Sequence, residues 1–166
     1  MMQRLTGLLL LTLCPAASFA FSPLERMILE ELTCERAPNS LAILRNLSDN
    51  GQITPGDNLG YDSLSCWKIV GGLTLAGMPF ESLCVYEESP SLQASHPEFY
   101  YRGPGTSPGQ TLSLGSSESA DALSDWYLEI FGPRNIYTAI AEGEETTLQT
   151  LSEVSCTDWM LPRPRD

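Results

Sequence analysis

Basic side chains are scarce in this 166-residue chain. Nine Lys and Arg stand against twenty-one Asp and Glu, for a formal net charge of −12. Lysine occurs once, at Lys68, and histidine once, at His96. Nucleic acid and anionic membrane surfaces both need a basic footprint, which so small a complement does not supply. A single histidine cannot build the common multi-histidine metal sites, and no two cysteines sit at the Cys-x-x-Cys spacing that zinc sites prefer. Long apolar runs are also missing. The one run, residues 5–13, is about half the ~20 residues a membrane span needs.

That run has a different meaning. Met1, Met2, Gln3 and Arg4 form a short n-region, residues 5–13 an apolar h-region, and Ala17-Ser18-Phe19-Ala20 places small residues three and one before a cut. This is the layout of a cleavable secretory signal. Cys14 would leave with it, since Leu13 and Pro15 on either side do not suit lipoprotein processing. Removing residues 1–20 from the 166 leaves 146, a length for one domain with its own core. It also removes Arg4 and takes the net charge to about −13. The expected organisation is a signal peptide over residues 1–20, a single exported domain over 21–160 and a frayed tail over 161–166.

Four cysteines then remain: Cys34, Cys66, Cys84 and Cys156. An even number in an exported chain points to disulfides, here with three possible connectivities that the sequence leaves open.

Ser22-Pro23-Leu24-Glu25 reads as a capping box with proline at the first helical position. Leu24, Met27, Ile28 and Leu32 continue it as an apolar stripe. A second helix capped by Asn39 or Ser40 turns Leu41, Leu44 and Leu47 inward and ends at Asn50-Gly51. From residue 64 the texture becomes strand-like, with Gly71-Gly72 marking a bulge or bend and Ala76-Gly77 a tight turn before a returning strand. Residues 89–110 are rich in proline and glycine and predict one long loop. A short strand follows at 111–114, then a helix capped within 116–119 and ending at Gly132-Pro133. Strands are expected at 136–141 and 147–156. The class is α+β: an N-terminal helix pair and one later helix packed on an antiparallel sheet, disulfide-stapled.

Several patterns offer chemistry. Gly105-Thr106-Ser107-Pro108-Gly109 matches a serine nucleophile elbow, but that elbow uses the N–H after the serine, and Pro108 has none. Residues 46–57 overlay a twelve-residue calcium loop, yet Asn46 opens it and Asp57 is the one carboxylate at a ligand position. Asn46-Leu47-Ser48 matches a glycosylation triplet but falls on a predicted helix. His96 with Glu98 has the makings of an acid–base pair. The adjacent acids Glu30-Glu31, Glu87-Glu88 and Glu144-Glu145 suggest paired carboxylates, with solvated faces as the plainer reading.

Phe99-Tyr100-Tyr101-Arg102, leading into Gly103-Pro104-Gly105, is the strongest candidate. Tyrosine and arginine anchor interfaces because they join large apolar area to hydrogen bonding, and a Pro/Gly-rich loop projects such a cluster from a rigid sheet. The alternative is that two of the three rings pack the loop onto the core and Arg102 pairs with a carboxylate. Tyr100, Tyr101 and Arg102 are therefore the expected partner-binding residues, with no catalytic residue, metal or cofactor assigned. The functional expectation is a small exported binding or inhibitor-like protein of the cell envelope, recognising a protein partner such as a cationic hydrolase or toxin. A hydrolase using Asp57, Asp62 or Glu98 and a structural envelope component without a ligand are the alternatives.

Overall fold

The computed structural model describes residues 21–59, 63–101, 103, 109–133, 138–142, 152–158 and 161, and for 138–142 the backbone alone. The expected signal peptide lies outside the described residues, as do Asp62, Arg102, Ser107 and the Glu144-Glu145 pair.

Helix α1 (Pro23–Leu32) starts where its capping box directs. Ser22 Oγ accepts the Glu25 amide at 3.1 Å, and Glu25 Oε2 accepts the Ser22 amide at 3.2 Å. Ile28, Leu29 and Leu32 are buried, with Leu24 and Met27 partly so. Past its end, Cys34 takes a φ of +54°, the left-handed position after a helix that usually falls to glycine. Helix α2 (Leu41–Asp49) buries Ile43, Leu44 and Leu47. Its expected cap is made differently: Ser40 gives no side-chain bond to the helix, and its hydroxyl meets Tyr100 Oη at 3.3 Å.

Strands β1 (Ser65–Leu75) and β2 (Met78–Tyr86) form a hairpin around Ala76 (φ +46°) and Gly77 (φ +86°). Two positive φ values in a two-residue turn match the twist of paired strands. The register shifts between Lys68 and Leu73, where Gly71 and Gly72 sit at φ +76° and +70°. This is the bulge the Gly-Gly pair predicted. On β2 the buried positions are Met78, Phe80, Ser82, Leu83, Val85 and Tyr86. Both halves of the bent hairpin thus feed one core.

Strand β3 (Thr111–Ser116) is buried at every position. Helix α4 (Ala120–Phe131), capped by Ser119 Oγ on the Ala122 amide, leads to β4 (Thr138–Glu142), and β5 (Ser152–Thr157) follows. The five strands form one antiparallel sheet in the order β1-β2-β3-β5-β4. Strand β5 therefore inserts between β3 and β4, which run the same way and are joined through α4 as a split crossover. Leu112, Leu114 and Val154 of the sheet join the buried faces of α1, α2 and α4 in a single core. Trp126 of α4 packs edge-on against Phe80 at 5.4 Å and donates its indole N–H to Leu75 O at 3.1 Å. Tyr127 donates to Leu32 O at 3.2 Å and ties α4 to α1.

The disulfide connectivity is Cys34–Cys156 and Cys66–Cys84. The first joins the end of α1 to β5 and closes 122 residues; the second joins directly paired positions of β1 and β2. Two such bridges belong to an oxidising environment. No helix among the described residues is long and apolar enough to cross a membrane.

Two expectations are corrected. The segment 89–110 is not all loop, since Pro90–Ser95 forms a short helix, α3, with Ser89 Oγ accepting the Leu92 amide. Proline at the first helical position starts a helix, because its missing N–H has no partner to lose there. The acidic pairs are not simply solvated faces either. Glu31 and Glu87 are buried, while Glu30 and Glu88 are exposed. Glu31 accepts from Arg36 Nη2 and the Asn39 amide, each at 3.0 Å. Glu87 accepts from the Ser89 amide at 2.9 Å and Gln110 Nε2 at 3.2 Å. A buried carboxylate must be hydrogen-bonded, and these two satisfy loop donors at the ends of α1 and β2.

Candidate functional site

Helix α3 ends at His96, whose N–H donates to Leu92 O at 2.9 Å. The His96 carbonyl then accepts two amides, Phe99 at 3.0 Å and Tyr100 at 3.1 Å. This turn drops Phe99 and Tyr100 into the core, 5% and 7% exposed. Burial raises the Tyr100 phenol above its ordinary pKa, while the contact with Ser40 works in the opposite direction.

The next residue faces the other way. Tyr101 donates its N–H to Ser65 Oγ at 2.7 Å, and its side chain is 49% exposed. Of the two tyrosines expected to project, Tyr101 does so and Tyr100 is an anchor of the turn. Two of the three rings pack inward, as the plainer reading of this segment anticipated. Arg102, the third expected contact, lies outside the described residues.

A second exposed apolar residue is tied to β1 next to Ser65 in sequence. Leu59, 40% exposed, donates its N–H to Cys66 O at 2.8 Å, one residue along β1 from the Ser65 hydroxyl that holds Tyr101. The segment bearing Leu59 also covers the outer edge of β1. Gln52 O accepts the Val70 amide, Asn58 Oδ1 accepts the Cys66 amide, and Thr54 O accepts the Trp67 indole N–H. An edge strand covered in this way is shielded from pairing with another chain.

His96 and Glu98 do come together. His96 Nδ1 lies 3.2 Å from Glu98 Oε1, and Arg45 Nη2 of α2 lies 3.2 Å from His96 Nε2. Both ring nitrogens are engaged, one from the turn itself and one from α2. The Glu98 carboxyl is held below its ordinary value, first by its own backbone N–H and then by His96. Arg45 and Leu59 are the members of this surface that sequence reasoning missed. For Leu59 a signal existed, a large apolar residue stranded in a turn-rich segment. For Arg45 there was none, because its contact spans 51 residues.

The other patterns gain no site. In the calcium-loop match, positions Asn46 to Asp49 are helical, and Asn46 Oδ1 accepts from Asn50 Nδ2 at 2.8 Å. Among the described residues no group of three His, Cys, Asp or Glu is placed to hold a metal ion. Asp57 is exposed on a single 3-10 turn, Pro55–Asp57. No protein-family model, characterised protein or solved structure matches this chain.

Proposed function

We propose that the chain is an exported, disulfide-stapled binding module of the cell envelope, which recognises a protein partner of basic surface charge through Tyr101. The observation that carries this reading is an exposed aromatic on an immobilised backbone. Tyr101 is held from behind by Ser65 and preceded by two rings sunk in the core. Binding orders what is mobile, so an anchor already fixed in place loses less entropy on association. Tyrosine suits the task because its ring gives area and its hydroxyl gives direction.

The charge of the whole chain supports the choice of partner. An exported domain with a net charge of about −13 steers a basic protein toward it and repels an acidic one. The reading is of a binder rather than an enzyme, and a cationic cell-wall hydrolase or an envelope-directed toxin has the right chemistry. Both buried glutamates support it, since each has its two carboxylate oxygens taken up by structural donors.

The test is capture of basic exported proteins on the immobilised protein at two salt concentrations, with Tyr101→Ala and Leu128→Ala compared. Leu128 on α4 is as exposed as Tyr101, at 49%. One partner should be captured, weaken with salt, fall about thirtyfold in affinity with Tyr101→Ala and persist with Leu128→Ala. Equal capture by the two variants contradicts the assignment.

A further inference from the structure

The two disulfides sit on opposite faces of the sheet. Cys156 is in register with Leu112 of β3, a core residue, and its bridge to Cys34 is buried at both ends, 0% and 1% exposed. Cys66 and Cys84 alternate along their strands with Trp67 and Leu83, which are core residues, so their bridge projects from the other face. Their pairing is also of a particular kind. The Cys66 N–H donates to Asn58 Oδ1, and the Cys66 carbonyl accepts the Leu59 amide, both on the outer side of β1. Neither group is turned toward Cys84, which makes this a non-hydrogen-bonded pair of the ladder. Such a pair holds its Cα atoms about 4.5 Å apart, against about 5.5–6 Å for an ordinary disulfide. Here the separation is 4.1 Å, whereas for Cys34–Cys156 it is 5.4 Å.

We propose that Cys66–Cys84 is a reversible redox couple of the folded protein, opened by thiols, while Cys34–Cys156 is its permanent staple. The couple is independent of the role of Tyr101. A bridge held at a span shorter than its own geometry prefers is easier to reduce. Opening it leaves the hairpin in place, because the ladder from Ser65 and Val85 to Lys68 and Ser82 and the burial of Trp67 and Leu83 hold the strands together. The two thiols stay opposite each other and can close again. Cys84 is partly exposed and Cys66 only 2% exposed, so an incoming thiolate meets Cys84 Sγ first. It bonds to that sulfur, the bond between Cys66 and Cys84 breaks, and the electron pair leaves with Cys66 Sγ, which takes a proton from water. A second thiolate then attacks the reductant's own sulfur in the mixed disulfide and frees Cys84, which is protonated in the same way. Two electrons pass to the protein, and the two reductant thiols leave joined as a disulfide.

The test equilibrates the oxidised protein in glutathione buffers of graded ratio, quenches by alkylation and maps the free thiols by peptide mass. Exchange protection of the β3 amides is followed in parallel. Cys66–Cys84 should open and reclose with the ratio while Cys34–Cys156 stays shut, their equilibrium constants about a hundredfold or more apart, and β3 should keep its protection. With glutathione disulfide, Cys66→Ser should form its mixed disulfide at Cys84 at least about tenfold faster than Cys84→Ser forms one at Cys66. A Cys-x-x-Cys dithiol protein poised at the same potential separates the sources of the thiol. Faster opening than with glutathione assigns a protein dithiol, and an equal or slower rate assigns free thiols. Two bridges that open at the same ratio, a Cys66–Cys84 bridge that stays shut across the series, or opening that takes the β3 protection with it overturns the couple. Faster reaction at Cys66 than at Cys84 overturns the order of attack.

Discussion

Glu25 Oε1 accepts the backbone N–H of Ala76 at 2.7 Å, while the other oxygen of Glu25 closes the capping box on Ser22. One carboxylate thus ties the start of α1 to a hairpin turn 51 residues away. Glu25→Ala removes both bonds and should cost about 1.5–3 kcal/mol, read from denaturant midpoints at unchanged slope. A cost below about 0.5 kcal/mol would show that the tie contributes nothing.

The same turn holds a residue in the wrong half of backbone space. Ala76 has a φ of +46°, where a side chain costs about 1–2 kcal/mol. Asparagine tolerates this conformation and precedes glycine in turns of this kind. Ala76→Asn keeps the N–H for Glu25 and should stabilise the protein by about 0.5–1 kcal/mol in the same assay. Destabilisation would mean that the alanine methyl packs in a way its backbone does not reveal.

The two disulfides should differ in weight. Cys34–Cys156 closes 122 residues and Cys66–Cys84 closes 18. On loop-closure entropy alone their removal costs about 5 and about 3 kcal/mol. Paired serine substitutions measured by thermal unfolding should show this order. Cys34 and Cys156 are both buried, whereas Cys84 is partly exposed. Mild reductant should therefore release free thiols from Cys66–Cys84 first, as read by alkylation and mass measurement. The reverse order in both assays would contradict the account of what staples the fold.

Alkali should find Tyr100. Burial raises its phenol above the ordinary value, so the folded state holds the proton more tightly than the unfolded chain. The sign follows: stability is unaffected below about pH 10 and falls as the pH climbs through and beyond it. Tyr100→Phe cannot ionise and should lose less stability over that interval, despite losing the contact with Ser40. Parallel curves for the two proteins would show that the phenol does not titrate with unfolding.

What could be read from the sequence was what neighbours decide. The capping box of α1, the Gly-Gly bulge, the Ala-Gly turn and the glycine after α4 each depend on a few adjacent residues, and each stands where expected. Disulfide pairing was out of reach, because it follows from β5 lying beside β3 and within reach of α1. The buried acids escaped for a related reason. Nothing local says that the amides of Asn39 and Ser89 need a carboxylate. At the candidate site the aromatic cluster was visible but its orientation was not. Phe99 and Tyr100 both turn inward while Tyr101 stays outside, its amide held by the Ser65 hydroxyl 36 residues away, which no local pattern announces.

A photo-crosslinking side chain placed at position 101 reports whether Tyr101 touches a partner. The same group at Leu128, equally exposed at 49%, is the control. Crosslinking within the intact exporting cell should join position 101, and not position 128, to one basic protein. Raising the salt in an extract should abolish the product. Identical products from both positions, or none from position 101, would mean that Tyr101 does not contact a partner.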